Sequence, residues 1–93
     1  MKIGLIGCGT TSPHYLRNLP RYPGVEVAVC SDIAMDRARN KAEEFGVPRS
    51  CSVGELLADP DVELVINLTL PGTHAEVSLA AMAAGKHVYS EKP

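Results

Sequence analysis

The chain has 93 residues, 45% of them hydrophobic but only 4% aromatic, with no Trp and a formal net charge of −2. That length allows one domain, and burial of only roughly 60–65% of the unfolded surface leaves a thin stability margin. No run of Lys or Arg tracks a phosphate backbone, no apolar stretch reaches membrane-span length, and Cys8, Cys30 and Cys51 form an odd set without C-x-x-C spacing; these argue against a nucleic-acid binder, a membrane protein, a disulfide framework and a zinc site, and for a reducing, cytoplasmic setting.

Lys2–Ile6 is a short apolar run closed by Gly7 and predicts a buried first strand. Gly4, Gly7 and Gly9 interrupt the opening segment, so it reads as strand and turn rather than as a signal peptide. The turn Gly7–Ser12 leads into a helix with Ser12 as N-cap and Pro13 at its first position; Tyr15, Leu16 and Leu19 lie on it, and it stops near Pro20. Tyr22-Pro23-Gly24 is a turn. Val25–Cys30 is a β-branched second strand, with Asp32 just past its end. Asp36–Phe45 has helical spacing, with Ala38, Ala42 and Phe45 on one side and Gly46 as C-cap. Arg49–Cys51 reads as a short third strand, and Ser52 caps a short helix through Leu56 and Leu57 that ends at Asp59-Pro60. Val62–Leu68 is the strongest buried-strand signal. Pro71-Gly72 reads as a turn, Thr73 as the cap of an Ala-rich helix with Ala75, Leu79, Met82 and Ala83 as its inner stripe, and Gly85 as its end. His87–Tyr89 begins a fifth strand before Glu91-Lys92-Pro93. Strands alternate with helices throughout, which implies right-handed crossovers and a Rossmann-type, doubly wound α/β fold of about five parallel strands in the order 3-2-1-4-5.

Gly7-Cys8-Gly9-Thr10-Thr11-Ser12 fills the spacing G-x-G-x-x-G except at its last position, where a small Ser stands. Gly7 permits the tight turn out of the strand, and Gly9 lets a pyrophosphate approach the backbone. The following helix offers unpaired N–H groups and the positive end of its dipole. Asp32 comes 20 positions after Ser12, where a ribose-binding acid belongs. A carboxylate there accepts hydroxyl hydrogen bonds and repels a 2′-phosphate, so NAD is favoured over NADP; Arg37 or Arg39 swinging in would reverse that. Without a ligand, the glycines would serve only the turn and Asp32 only a loop. A methyltransferase-like domain uses similar features.

The second half narrows the choice. Thr69-Leu70-Pro71-Gly72-Thr73-His74 and Gly85-Lys86-His87-Val88-Tyr89-Ser90-Glu91-Lys92-Pro93 follow the fourth and fifth strands. With the glycine turn and Asp32, they resemble the Gfo/Idh/MocA oxidoreductases, the glucose–fructose oxidoreductase and inositol dehydrogenase family, across all 93 residues; Ser12 and Leu70 depart from its pattern. The resemblance implies NAD or NADP binding and hydride exchange with a sugar, polyol or related alcohol. It implies Lys92 as the catalytic lysine, donating a hydrogen bond to the substrate oxygen, with Glu91 lining the nicotinamide side. Thr69, Leu70 and Pro71 would border the cofactor, with His74 near the site as a helix-start residue. The dinucleotide contacts are thus expected from Gly7, Gly9, Thr10, Thr11, Ser12, Asp32, Thr69, Leu70, Pro71, His74, Glu91 and Lys92, and Cys8 reads as a small filler. Residues 1–93 are expected to form the dinucleotide-binding domain, without the substrate and dimerisation domain of relatives. The chain alone is therefore expected to be inactive and to self-associate as a homo-oligomer through its open edge strand. A non-catalytic dinucleotide sensor is the alternative.

Overall fold

The computed structural model describes residues 1–9 and 11–90. Five strands, β1 (Lys2–Ile6), β2 (Glu26–Ser31), β3 (Arg49–Cys51), β4 (Leu64–Asn67) and β5 (His87–Ser90), form one sheet in the order β3-β2-β1-β4-β5. Every pairing is parallel. The helices are α1 (Ser12–Asn18), α2 (Met35–Phe45), α3 (Val53–Ala58) and α4 (Pro71–Ala83). The order and the parallel pairing are those the alternation of elements predicts.

A parallel sheet covered on both faces needs strands that are apolar on both sides. Ile3, Leu5 and Ile6 of β1 meet this requirement, at 2%, 0% and 0% exposure. On one face, Leu5, Val27 and Cys30 pack with Leu16 of α1 and with Ala38 and Ala42 of α2. On the other, Ile6, Val29 and Val65 pack with Leu56 of α3 and Ala81 of α4. Gly4 of β1 lies beneath α3: a Cβ there would sit 2.8 Å from the Leu56 side chain. Fully burying such a leucine contributes about 1.5–3 kcal/mol, which matters for a six-residue helix. A complete capping box also fixes its start, Ser52 accepting from the Glu55 amide while Glu55 accepts from that of Ser52.

Several expectations need correction. Ser12 does not cap α1; it is the first helical residue and fully buried, and Thr11 stands at the cap without a side-chain hydrogen bond. The α-helix itself ends at Asn18, near Pro20 as expected, and a 3₁₀ turn, Leu19–Arg21, follows it. In β2 the register steps at Ala28, Ile3 pairing with Val27 and Gly4 with Val29, so Val27 and Cys30 share a face despite odd spacing. Pro71-Gly72 is not a turn but the start of α4, with Leu70 at the cap and Thr73 inside, its hydroxyl donating to the Leu70 carbonyl; proline suits a first helical turn because no intrahelical partner is lost. The inner stripe of α4 holds Val77 and Ala81, whereas Leu79 is 65% and Met82 54% exposed. An Ala-rich helix whose apolar residues are spread around its axis gives periodicity no clear face to choose.

Candidate functional site

In a doubly wound sheet the crevice opens at the carboxyl ends of the strands where their order reverses, here between β1 and β4. β1 leads into Gly7, whose φ of +102° only glycine adopts readily. A Cβ there would also lie 2.7 Å from the Leu68 carbonyl carbon, so the chain must be bare to turn beneath the exit of β4. The Gly7 amide donates to the Ser31 carbonyl at 2.8 Å. Gly9 is different: a Cβ built on it would meet nothing within 4 Å. The fold itself does not require glycine there, and the bare backbone borders a cavity.

That cavity measures about 500 Å³ and brings together Gly7, Gly9, Asp32, Thr69 and Leu70, all expected cofactor contacts. Ile33, Val53, Leu68 and Val77 add apolar wall, and Arg37 stands on the same side as Asp32 in sequence. A largely apolar cleft with a few placed polar groups is the usual form of a cofactor site. Asp32 is only 9% exposed. One carboxylate oxygen accepts the Cys8 amide at 2.7 Å and the other accepts the Ala34 amide at 2.8 Å. The acid therefore clasps the glycine turn to the exit of β2, and each oxygen retains a lone pair for a further donor.

Ser12, Pro71 and His74 do not line this cavity. Ser12 works from beneath: its hydroxyl donates to the Gly9 carbonyl at 2.7 Å and its amide to the same oxygen at 3.2 Å, fixing the turn. Pro71 opens α4. The imidazole Nε2 of His74 is buried and has no hydrogen-bond partner among the described residues. Thr11 is exposed beside the turn and does not line the cavity. The contacts assigned to Thr10, Glu91 and Lys92 fall outside the described residues. Cys8 is buried, its sulfur 3.4 Å from the Ser31 carbonyl. A shared hydrogen bond with the Cys30 thiol, burial and the nearby Asp32 charge push its ionisation far above the ordinary range, so it is a filler and not a nucleophile.

Two residues escaped the sequence reading. Asn67, fully buried at the end of β4, donates to the His74 carbonyl at 2.8 Å and the Ser78 hydroxyl at 2.9 Å. Its carbonyl oxygen accepts the Thr69 amide at 3.1 Å and hydroxyl at 2.6 Å. One side chain thus sets the rotation of α4 and the shape of the loop along the cavity. A polar residue inside V-E-L-V-I-N-L was the available signal. Lys86 works at the opposite end of the sheet, its ammonium donating to the Asp59 and Val62 carbonyls at 2.6 and 2.8 Å. Among the described residues, no cluster of His, Cys, Asp or Glu is placed to hold a metal ion.

A family model described as an oxidoreductase family with an NAD-binding Rossmann fold, Gfo/Idh/MocA, matches residues 1–93. The chain is 35% identical over 94 residues to a myo-inositol 2-dehydrogenase of Thermotoga maritima, covering all of this chain and 28% of that protein. It is similar to the crystal structure of KijD10, a 3-ketoreductase from Actinomadura kijaniata in complex with NADP and TDP-benzene, with a TM-score of 0.91, 34% identity, and coverage of all of this chain and 29% of that one. GenD2 from gentamicin A biosynthesis, in complex with NAD, has a TM-score of 0.91 at 27% identity and is covered over 27% of its length, again by the whole chain.

Proposed function

The chain belongs to the Gfo/Idh/MocA oxidoreductase family and is its NAD-binding Rossmann domain, and from that premise we propose that the crevice takes NAD in preference to NADP, in a protein that moves hydride between nicotinamide and a sugar, polyol or related alcohol. The chain spans less than a third of the relatives it matches, so substrate contacts are assigned to a further domain.

The observation that carries the cofactor reading is Gly9. Its missing side chain relieves no contact within the protein, yet it borders a cavity whose wall includes a held carboxylate. That arrangement suits a diphosphate laid along bare backbone and a ribose whose hydroxyls donate to Asp32. Asp32 disfavours the extra phosphate of NADP by charge. Arg37 is the cation on the described wall that would welcome it, and related structures carry either cofactor.

When bound, the nicotinamide supplies the hydride acceptor or donor. The protein's own groups then bind and orient. Gly7 and Gly9 leave room for the diphosphate, Asp32 grips the ribose, and the loop shaped by Asn67 borders the cofactor with Thr69 and Leu70. Lys92 donates a hydrogen bond to the substrate oxygen, favouring the charge that develops there; Glu91 lines the same side. The exposed apolar residues of α4 and the outer edge of β5 are the surfaces through which the domain associates with other copies or the rest of its protein. A cytoplasmic setting is supported by three buried thiols that form no disulfide, and no helix among the described residues is long and apolar enough to cross a membrane. Titration calorimetry with NADH and NADPH tests the reading: NADH is expected to bind at least tenfold tighter, and equal affinity, or none for either, overturns it.

A further inference from the structure

We infer that Asn67 is a positioning residue that fixes the Thr69 hydroxyl as a pure hydrogen-bond acceptor toward the cavity, where its oxygen takes an O–H of the nicotinamide-side ribose and turns the diphosphate away. The inference deepens the proposed function and rests on the dinucleotide assigned there. It begins from the polarity of one buried amide. The His74 carbonyl can only accept and the Thr69 backbone N–H can only donate, and they lie 2.8 and 3.1 Å from the two ends of the Asn67 side chain. The Asn67 nitrogen must therefore face His74 and its oxygen Thr69. That oxygen is also 2.6 Å from the Thr69 hydroxyl. A carbonyl carries no proton, so Thr69 is the donor. The Ser78 hydroxyl, 2.9 Å from the nitrogen, completes the set. The fully buried amide thus has both N–H groups and both lone-pair positions in use.

The consequence falls on Thr69, which borders the cavity. Its one hydroxyl proton is committed to Asn67, and only lone pairs remain for a ligand. Such an oxygen repels phosphate oxygens, which are acceptors too, and suits a hydroxyl. The sheet order β2-β1-β4 picks out which hydroxyl. Asp32 follows β2, the glycine turn follows β1, and Thr69 follows β4, its amide nitrogen 3.0 Å from where a Cβ on Gly7 would stand. A diphosphate lying over the turn places one ribose on the Asp32 side and the other, which carries the nicotinamide, on the Thr69 side. Asn67 acts on the dinucleotide only through Thr69.

The test uses the 93-residue chain in two parts. Without cofactor, a slowly exchanging hydroxyl proton should be resolved by proton NMR in the cold, and it should be missing from Thr69→Val. With cofactor, calorimetry should show Thr69→Val, which keeps the shape without the oxygen, binding NADH about tenfold more weakly, and Thr69→Ser recovering most of that loss. The loss should disappear with an NADH analogue that lacks the hydroxyls of the nicotinamide-side ribose and persist with one that lacks those of the adenine-side ribose. A merely structural role for Thr69 would weaken all three ligands alike. A hydroxyl proton in fast exchange overturns the role of Asn67. Thr69→Val binding within twofold of the parent, or a loss indifferent to the analogue, overturns the ribose contact. A parent chain that binds neither NADH nor NADPH sinks the proposed function and the ribose contact with it, while the hydroxyl resonance still decides the role of Asn67.

Discussion

Replacing Asp32 with Asn or with Ala separates its two jobs. The carboxylate accepts two backbone amides, at 2.7 and 2.8 Å, from a side chain that is nearly buried. A hydrogen bond to a charged group contributes about 1.5–3 kcal/mol. Asp32→Asn keeps one acceptor oxygen and turns an NH₂ toward the other amide, so about 2 kcal/mol should be lost. For a domain of this size that lowers Tm by about 8–16 °C. Asp32→Ala loses both bonds, about 3–6 kcal/mol, a large share of the 5–15 kcal/mol that holds a typical domain together. Asn is therefore the binding probe and Ala the stability probe. Losing the negative acceptor for the ribose hydroxyls should weaken NADH by about 10- to 100-fold. NADPH should weaken less, because the charge that repelled its extra phosphate is gone. Thermal melts by circular dichroism establish that Asp32→Asn is folded at the assay temperature, and calorimetry then gives both affinities. A folded Asp32→Asn protein that binds NADH within twofold of the parent removes the ribose assignment. An Asp32→Ala protein with unchanged Tm removes the clasp.

The two turn glycines should part company when each is changed to Ala. Gly7→Ala meets both a positive φ and the Leu68 backbone at 2.7 Å and should fail to give a cooperative melt; Gly9→Ala meets nothing and should keep its Tm while NADH weakens at least tenfold, and unweakened binding would contradict the close approach of a diphosphate. Asn67→Ala removes four hydrogen bonds from a fully buried site and should lower the urea-unfolding free energy by about 2–4 kcal/mol; a change within about 0.5 kcal/mol would show that α4 is oriented by packing alone. The Asp61 amide and the Arg49 guanidinium hold the Asp59 carboxyl below its ordinary ionisation range. A group depressed in this way stabilises the fold above its unfolded-state value and loses that contribution as pH falls through the folded-state value. Urea melts on descending from neutral pH should therefore show stability falling below about pH 4, with a shallower fall in Asp59→Asn; identical acid limbs would rule Asp59 out as a contributor.

What could be read from the chain, and what could not, follows from which forces are local. The strands of the central sheet are nearly continuous apolar runs, and Gly46, the C-cap of α2 with a φ of +70°, announces itself. Gly7, Gly9 and Asp32 could be placed because spacing along one strand–turn–helix unit fixes their meeting. The inner face of α4 was not legible, since Leu79 and Met82 are as apolar as Val77 and Ala81, and the choice belongs to Asn67 across the sheet end. Ser12 looked like a cap because serine commonly is one; its burial, and its bond back to the Gly9 carbonyl, depend on how closely α1 sits against β1. Lys86 lay within the most recognisable segment, yet its partners at Asp59 and Val62 are 27 and 24 positions away.

The meeting of Gly4 and Leu56 has a consequence for anyone redesigning this domain. The floor of the sheet carries a dimple one methyl deep, and α3 is keyed into it like a peg. A single added carbon at residue 4 would lift the peg, and with it the connection that carries the chain from β3 across to β4. The smallest vacancy in the first strand is in this sense a joint, and the two sides of the sheet are assembled around it.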